Sequence, residues 1–334
     1  MAMDFAKRGR QDEAHGFRGE TAEFSKMSNT RYLWRGRLAL GAAVLIWSTP
    51  PIFQFWLGRT FDPWTQNFYR YAAGFVSMAP LWLWALWSSL RRMGRREWVG
   101  CALAALPNGV HQVAQTMAVV LLWPGLYALL GRMSVILTAA LAVVFFADER
   151  WIARSGKFQL GTAMALLGVA GLVWQPGPMK LSDGFFAGLL LALAAAAGWA
   201  VYGVMVKKFT AQAGPTLGFG AIGLWTTLLL LPPMLIFGDA GAVLQADAWT
   251  NFVLFASGVI SIGLGHWLYY IGIRELGAAP SQSALLLCPL GTMLMSSFLM
   301  GEKFSFEQVV AGALLLAGAF LALAARPPMV EEPV

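Results

Sequence analysis

Apolar residues fill this chain in long unbroken runs separated by short polar stretches. Neither the alternation of a half-buried strand nor the one-sided stripe of a soluble amphipathic helix describes them. A helix crossing hydrocarbon needs about 20 apolar residues. On that measure ten segments stand out: 38–57, 65–89, 98–122, 125–147, 158–175, 184–206, 216–237, 251–272, 278–300 and 306–325. Backbone polar groups in hydrocarbon need internal partners, and Leu- and Ala-rich runs without alternation select helices over a barrel. The expected fold class is an all-α membrane protein with ten transmembrane helices. The punctuation agrees. Trp123–Pro124–Gly125 makes a tight turn between the third and fourth spans, and Pro63, Pro215 and Pro280 lie near span starts, where a missing N–H is tolerated. Trp56, Trp64, Trp98, Trp123, Trp151, Trp174 and Trp249 fall near span ends, the place of interfacial anchors. Pro50–Pro51 are expected to break or bend the first span, leaving carbonyls near residues 46–47 free to face a cavity.

Composition supports the membrane class. Of 334 residues 58% are hydrophobic and only 12% charged, against roughly 25% charged in soluble domains. The net charge of +7 raises the possibility of a nucleic-acid partner, but the basic residues sit at the ends of apolar runs, as topology signals do. With the N-terminus inside, the cytosolic segments hold 19 Lys and Arg: eight in the tail, then Arg91, Arg92, Arg95 and Arg96, then Arg150, Arg154 and Lys157, then Lys207 and Lys208, then Arg274 and Arg326. The other side holds Arg59, Lys180 and Lys303, while Arg70 and Arg132 lie within spans. Both termini are thus expected in the cytosol, with residues 1–37 a disordered tail lacking a secretory signal and 326–334 a second tail. Cys101 and Cys288 lie in apolar segments without metal-ligand spacing and read as small core residues.

The two halves share landmarks. Trp47 recurs as Trp199 (152 residues on), Pro80 as Pro233 (153), His111 as His266 (155) and Glu149 as Glu302 (153). Four pairs in order, at matching places in successive spans, favour a duplication. Each half, 38–175 and 184–325, holds five spans, so the second enters the membrane upside down. Two inverted five-helix repeats are the architecture of secondary transporters, with a site near the midplane at the repeat interface.

Particular stretches carry a family likeness: WSTPPIF (47–53), FYRY (68–71) and SVILTAALAVVFFADER (134–150) in the first half, GWAVYGVMVKK (198–208) and CPLGTMLMSSFLMGEKFSFEQVVAGALLLAGAFLAL (288–323) in the second. Over roughly 38–325 the chain resembles the drug/metabolite transporter superfamily, in its two-copy EamA-type branch. The acid that ends spans 4 and 9, followed by a basic residue, is the most family-like element. Pro289 stands where span 4 has Ile136, a departure between the halves. The resemblance implies a ten-helix carrier in a prokaryotic cytoplasmic (inner) membrane, exporting amino acids or related metabolites, without a cofactor or metal and with a small-molecule substrate and the lipid bilayer as partners.

Polar groups inside spans mark where such a substrate would sit. Asn108, His111, Gln112 and Gln115 share one face of span 3, either binding helices together or lining a cavity. Asn67 and Arg70 lie on a face of span 2 with Tyr71 and Gly74, and Arg70 either snorkels, pairs with carbonyls or meets a substrate. Arg132 lies about eight residues, or roughly 12 Å, into span 4, beside Gly131, Ser134 and Thr138. His266 lies deep in span 8 near Tyr269 and Tyr270 and reads either as a packed interior group or as a site residue. Trp47, Gln54 and Phe55 in span 1, and Trp199 with Tyr202 in span 6, read as packing or as cavity walls. GFGAIG (218–223) lacks a preceding strand, and Gly184 with Gly188 forms a GxxxG pair; both read as helix contacts. The alternatives to a carrier are an intramembrane enzyme and a receptor or scaffold. The sequence has no H-E-x-x-H, G-x-S-x-G or P-loop, and no Asp or Glu deep in a span.

Overall fold

The computed structural model describes residues 34–89, 93–145, 147–174, 184–210, 214–276, 281 and 284–324. The outer parts of both tails, Arg91, Arg92, Lys180, Pro280 and the Glu149 side chain lie outside the described residues. Among those described the chain is predominantly helical, without strands. Helix α1 covers residues 34–47. It is followed by α2 (Pro50–Leu57), α3 (Pro63–Ser77), α4 (Ala79–Ser89), α5 (Arg95–Leu122), α6 (Pro124–Leu130), α7 (Met133–Phe145) and α8 (Gly156–Trp174). The second half holds α9 (Phe185–Thr210), α10 (Pro215–Phe237), the short α11 (Ala242–Gln245), α12 (Ala248–Ser257), a π-helical segment (Gly258–Leu264), α13 (Gly265–Leu276), α14 (Cys288–Met300) and α15 (Phe306–Leu323).

Six helical runs are long and apolar enough to cross a membrane by length and composition: Trp34–Leu57, Pro124–Phe145, Phe185–Val206, Thr216–Phe237, Ala248–Gly272 and Phe306–Leu323. The sequence expectation was ten. Two of the others have a visible physical reason to fall short. The second expected span divides at Met78, just before Pro80, into α3 and α4. The third, α5, is continuous but carries the polar stripe that lowers its hydropathy.

Helix breaks fall where site residues lie. Ser48–Thr49 separates α1 from α2, and Pro50 takes the first helical position of α2. Of the carbonyls beside this break, Ile46 O accepts from the Thr49 hydroxyl (2.6 Å) and Ser48 O accepts from the Thr292 hydroxyl (2.8 Å). Gly131–Arg132 separates α6 from α7. A π-helical segment interrupts the eighth span, where the sequence pattern had indicated regular helix.

Close helix contacts rest on small residues. A Cβ on Gly161 of α8 would lie 2.5 Å from Gly318 O of α15, and one on Gly168 would lie 2.6 Å from Leu315 N. One on Gly198 of α9 would lie 2.8 Å from Pro107 O of α5. The discounted glycine motifs are also packing positions: Gly220 meets Trp82, and Gly184 and Gly188 meet Leu121 and Leu122. A Cβ on Gly258 would lie 2.8 Å from Arg70 Cα, so the π segment runs against the backbone of α3. Cys101 and Cys288 are buried and unpaired.

Candidate functional site

A cavity of about 100 Å³ lies among these helices, lined from both halves of the chain. Its aromatic wall consists of two matching pairs. Trp47 of α1 packs edge-on against His266 of α13 with ring centroids 5.0 Å apart, and Trp199 of α9 packs against His111 of α5, also at 5.0 Å. The two indoles meet each other at 5.9 Å in a T-shaped contact. The Trp47 indole N–H donates to Ser261 O of the π segment (2.9 Å), which fixes that ring.

Both histidines are oriented by backbone carbonyls. His111 Nδ1 lies 2.8 Å from Ala195 O, and His266 Nδ1 lies 2.9 Å from Ile262 O. A carbonyl oxygen only accepts, so each Nδ1 carries the proton and each neutral ring keeps its lone pair on Nε2. His266 Nε2 is buried without a protein partner.

The two arginines of the cavity are also incompletely paired. Arg70 is 1% exposed. It does not snorkel: its Nε donates to Ser257 Oγ (3.0 Å), placed there by the approach of the π segment to α3. Its Nη1 is buried without a partner. Arg132 lies in the turn between α6 and α7. Its Nη1 donates to Leu285 O (3.0 Å), while its Nε is buried without a partner. No Asp or Glu is among the described residues lining the cavity.

The polar stripe of α5 divides between two tasks. Asn108 donates to the Tyr71 hydroxyl (2.8 Å) and to Thr226 Oγ1 (3.0 Å), tying α5 to α3 and α10 away from the cavity. Gln115 Nε2 donates to Gln54 Oε1 (2.9 Å), and Gln54 Nε2 donates to the Thr116 hydroxyl (3.0 Å), which lies 3.1 Å from Asn67 Oδ1. Asn67 in turn donates to Pro63 O (2.8 Å). Gln112 and Gln115 also border the cavity. Of the candidates named from sequence, the cavity thus brings together Trp47, Arg70, His111, Gln112, Gln115, Arg132, Trp199 and His266. Asn67 and Asn108 belong to the interhelical network. Tyr202 stands outside the lining, tilted against Trp199 at 5.4 Å with its hydroxyl 2.9 Å from that of Tyr270.

The sequence did not single out Ser257, Ser261 or Thr292 as site residues. Each is small enough to leave no dent in an apolar run. Ser257 and Ser261 matter because of the π segment, and the only trace of that segment is the glycine-rich stretch Gly258, Gly263 and Gly265.

Residues 186–324 match the model of the EamA-like transporter family. An uncharacterized transporter of Archaeoglobus fulgidus is 24% identical over 290 residues, 86% of this chain and 96% of the relative. An uncharacterized transporter of Haemophilus influenzae is 22% identical over 198 residues, and uncharacterized transporter YyaM of Bacillus subtilis is 27% identical over 203. The matches span 64% and 63% of those two relatives' lengths. Uncharacterized inner membrane transporter YhbE of Escherichia coli is 30% identical over 145 residues, 39% of this chain and 41% of the relative. A crystal structure at 19% identity shares the fold with a TM-score of 0.62, covering 87% of this chain and 97% of that one. The EamA-like half supplies Trp199, Ser261, His266, Leu285 and Thr292 to the cavity, and the preceding half supplies both arginines.

Proposed function

We propose that this chain is a secondary-active carrier that exports a small organic metabolite bearing an anionic group, an amino acid or related carboxylate compound, by alternating access. The cavity is its substrate site, Arg70 and Arg132 hold the anionic group, and ten spans in two inverted halves form the moving parts. The observation that carries this reading is the paired wall. Trp47 and His111 of the first half and Trp199 and His266 of the second, landmarks that recur at nearly one offset, meet around a single cavity in reciprocal contacts.

Helix packing supports the inverted arrangement. The second span packs on the eighth (α3 on the π segment), and its counterpart, the seventh, packs on the third (α10 on α5). The fourth packs on the sixth (α7 on α9) as the ninth packs on the first (α14 on α2). The fifth and tenth, α8 and α15, pair with each other. Exchanging the halves reproduces each contact. The EamA-like domain and relatives named as transporters support a carrier over an enzyme.

The deciding variant is Arg132→Gln, reconstituted in proteoliposomes. Flux of an anion-bearing metabolite is expected to fall by roughly 10- to 100-fold, the weight of one charge-assisted hydrogen-bonded pair, while folded and inserted protein persists. Normal flux would overturn the role of Arg132. Saturable flux of neutral metabolites alone would overturn the anionic substrate.

A further inference from the structure

We propose, resting on the carrier reading above, that the cavity is built for a compact dicarboxylate, with one carboxylate for each arginine. The argument begins with the donor edges that the protein leaves unused. A guanidinium presents five N–H groups in a planar fork. Arg70 commits Nε to Ser257 and leaves Nη1, on its end-on edge, buried without a protein acceptor. Arg132 commits Nη1 to Leu285 O, which leaves the side-on edge that contains its buried, unpartnered Nε. Each edge matches the two oxygens of one carboxylate.

Charge points the same way. The cavity presents two guanidinium groups, and no carboxylate borders it among the described lining residues. An unpaired buried charge is costly, so two such charges call for two negative charges from the ligand. A zwitterionic amino acid brings only one carboxylate, and its ammonium group would add a third positive charge beside two fixed ones. The two arginines sit on separate elements, α3 against the π segment and the turn between α6 and α7, and both border one cavity of about 100 Å³, which limits a ligand that reaches both to a short linker. The Trp47 and Trp199 indoles wall that linker. His266 Nε2, a buried lone pair without a partner, accepts from a hydroxyl on it. The dicarboxylates favoured are therefore short and hydroxylated.

The test uses the full chain purified in detergent, with binding read by thermal shift and titration calorimetry. The probes are malate, succinate, butyrate, alanine and inorganic phosphate. Malate and succinate are expected to stabilise the protein and to bind at least about 10-fold more tightly than butyrate or alanine. Malate is expected to exceed succinate, and His266→Phe to lower malate affinity more than succinate affinity, so that the two converge. Arg132→Gln should lower succinate affinity to that of butyrate. Arg70→Met supplies the second arm, with the same loss expected. Alanine binding as tightly as succinate, phosphate binding without a dicarboxylate effect, unchanged succinate affinity in Arg132→Gln, or no response to either dicarboxylate would each overturn the proposal. Alanine flux that depends on Arg132 would sink the dicarboxylate assignment and leave the carrier reading standing.

Discussion

At the scale of single residues, Arg70 is the sharpest case of structure set against stability. Its guanidinium is buried with one protein hydrogen bond and an unpartnered nitrogen. Replacing a buried charge by an apolar residue of similar volume is commonly neutral or stabilising. Arg70→Met is therefore expected to keep or raise the melting temperature in detergent while lowering succinate affinity to that of butyrate. A melting temperature several degrees lower would mean that the guanidinium holds the fold together. Trp47 predicts the opposite pattern. It touches His266, Trp199 and Tyr269 and donates to Ser261 O. Trp47→Ala should cost about 3–5 kcal/mol, the usual range for a truncated core aromatic, read as a lowered midpoint in a thermal or denaturant scan. Trp47→Phe, which loses mainly the indole N–H bond, should cost about 1 kcal/mol. The depth of Arg132 and the polar face of α5 were legible in the sequence, because charge and periodicity mark them. The division of that face was not. Asn108 turns to Tyr71 and Thr226, partners on other helices that no spacing along α5 reveals.

At the scale of elements, Glu302 shows how a helix end is held. In the loop between α14 and α15, its carboxylate accepts from Gly125 N (2.9 Å) and Leu126 N (3.1 Å) at the start of α6, and it contacts the Ser296 hydroxyl. It thus supplies the acceptors that Trp123, at the N-cap with a φ of 67°, does not. Glu302→Ala should cost about 1–2 kcal/mol, as loss of an N-terminal cap does. Burial pushes the Glu302 carboxyl above its ordinary value of 4.5, against the pull of Ser296 and the two amides. In the interval above that value the folded state binds more protons than the unfolded chain, so stability falls as pH rises through it. Thermal scans across mildly acidic pH should show that slope, and Glu302→Gln should remove it. The contact of α8 with α15 gives a purely steric prediction: Gly161→Leu drives a side chain into Gly318 and Ala322 and should prevent recovery of folded protein from the membrane. Sequence revealed Glu302 as a landmark at the end of a span, and Pro50–Pro51 as a break. It could not reveal that the acid reaches back 177 residues to cap another helix, or that the Thr49 and Thr292 hydroxyls would donate to Ile46 O and Ser48 O beside the prolines. Those partners are set by tertiary contact.

At the scale of the whole molecule, helical class and long apolar runs follow from hydropathy alone. Six runs meet the length and composition of a span, and the expectation of ten rests further on the asymmetry of Lys and Arg. That asymmetry predicts that cysteines introduced at Arg96 and Asp239, the latter exposed after α10, label from opposite faces of right-side-out vesicles. Labelling of both from one face would contradict the ten-span topology. The repeat was legible because Trp47, His111, Trp199 and His266 are rare residue types in apolar surroundings. Their meeting around one cavity was not, since it depends on how two inverted halves pack. The account stands most directly on solute counterflow in proteoliposomes loaded with unlabelled anionic metabolites. It predicts transient, saturable accumulation of labelled dicarboxylate that requires the internal load and disappears in Arg132→Gln. Accumulation no greater than in protein-free liposomes, for every anionic solute loaded, would contradict it.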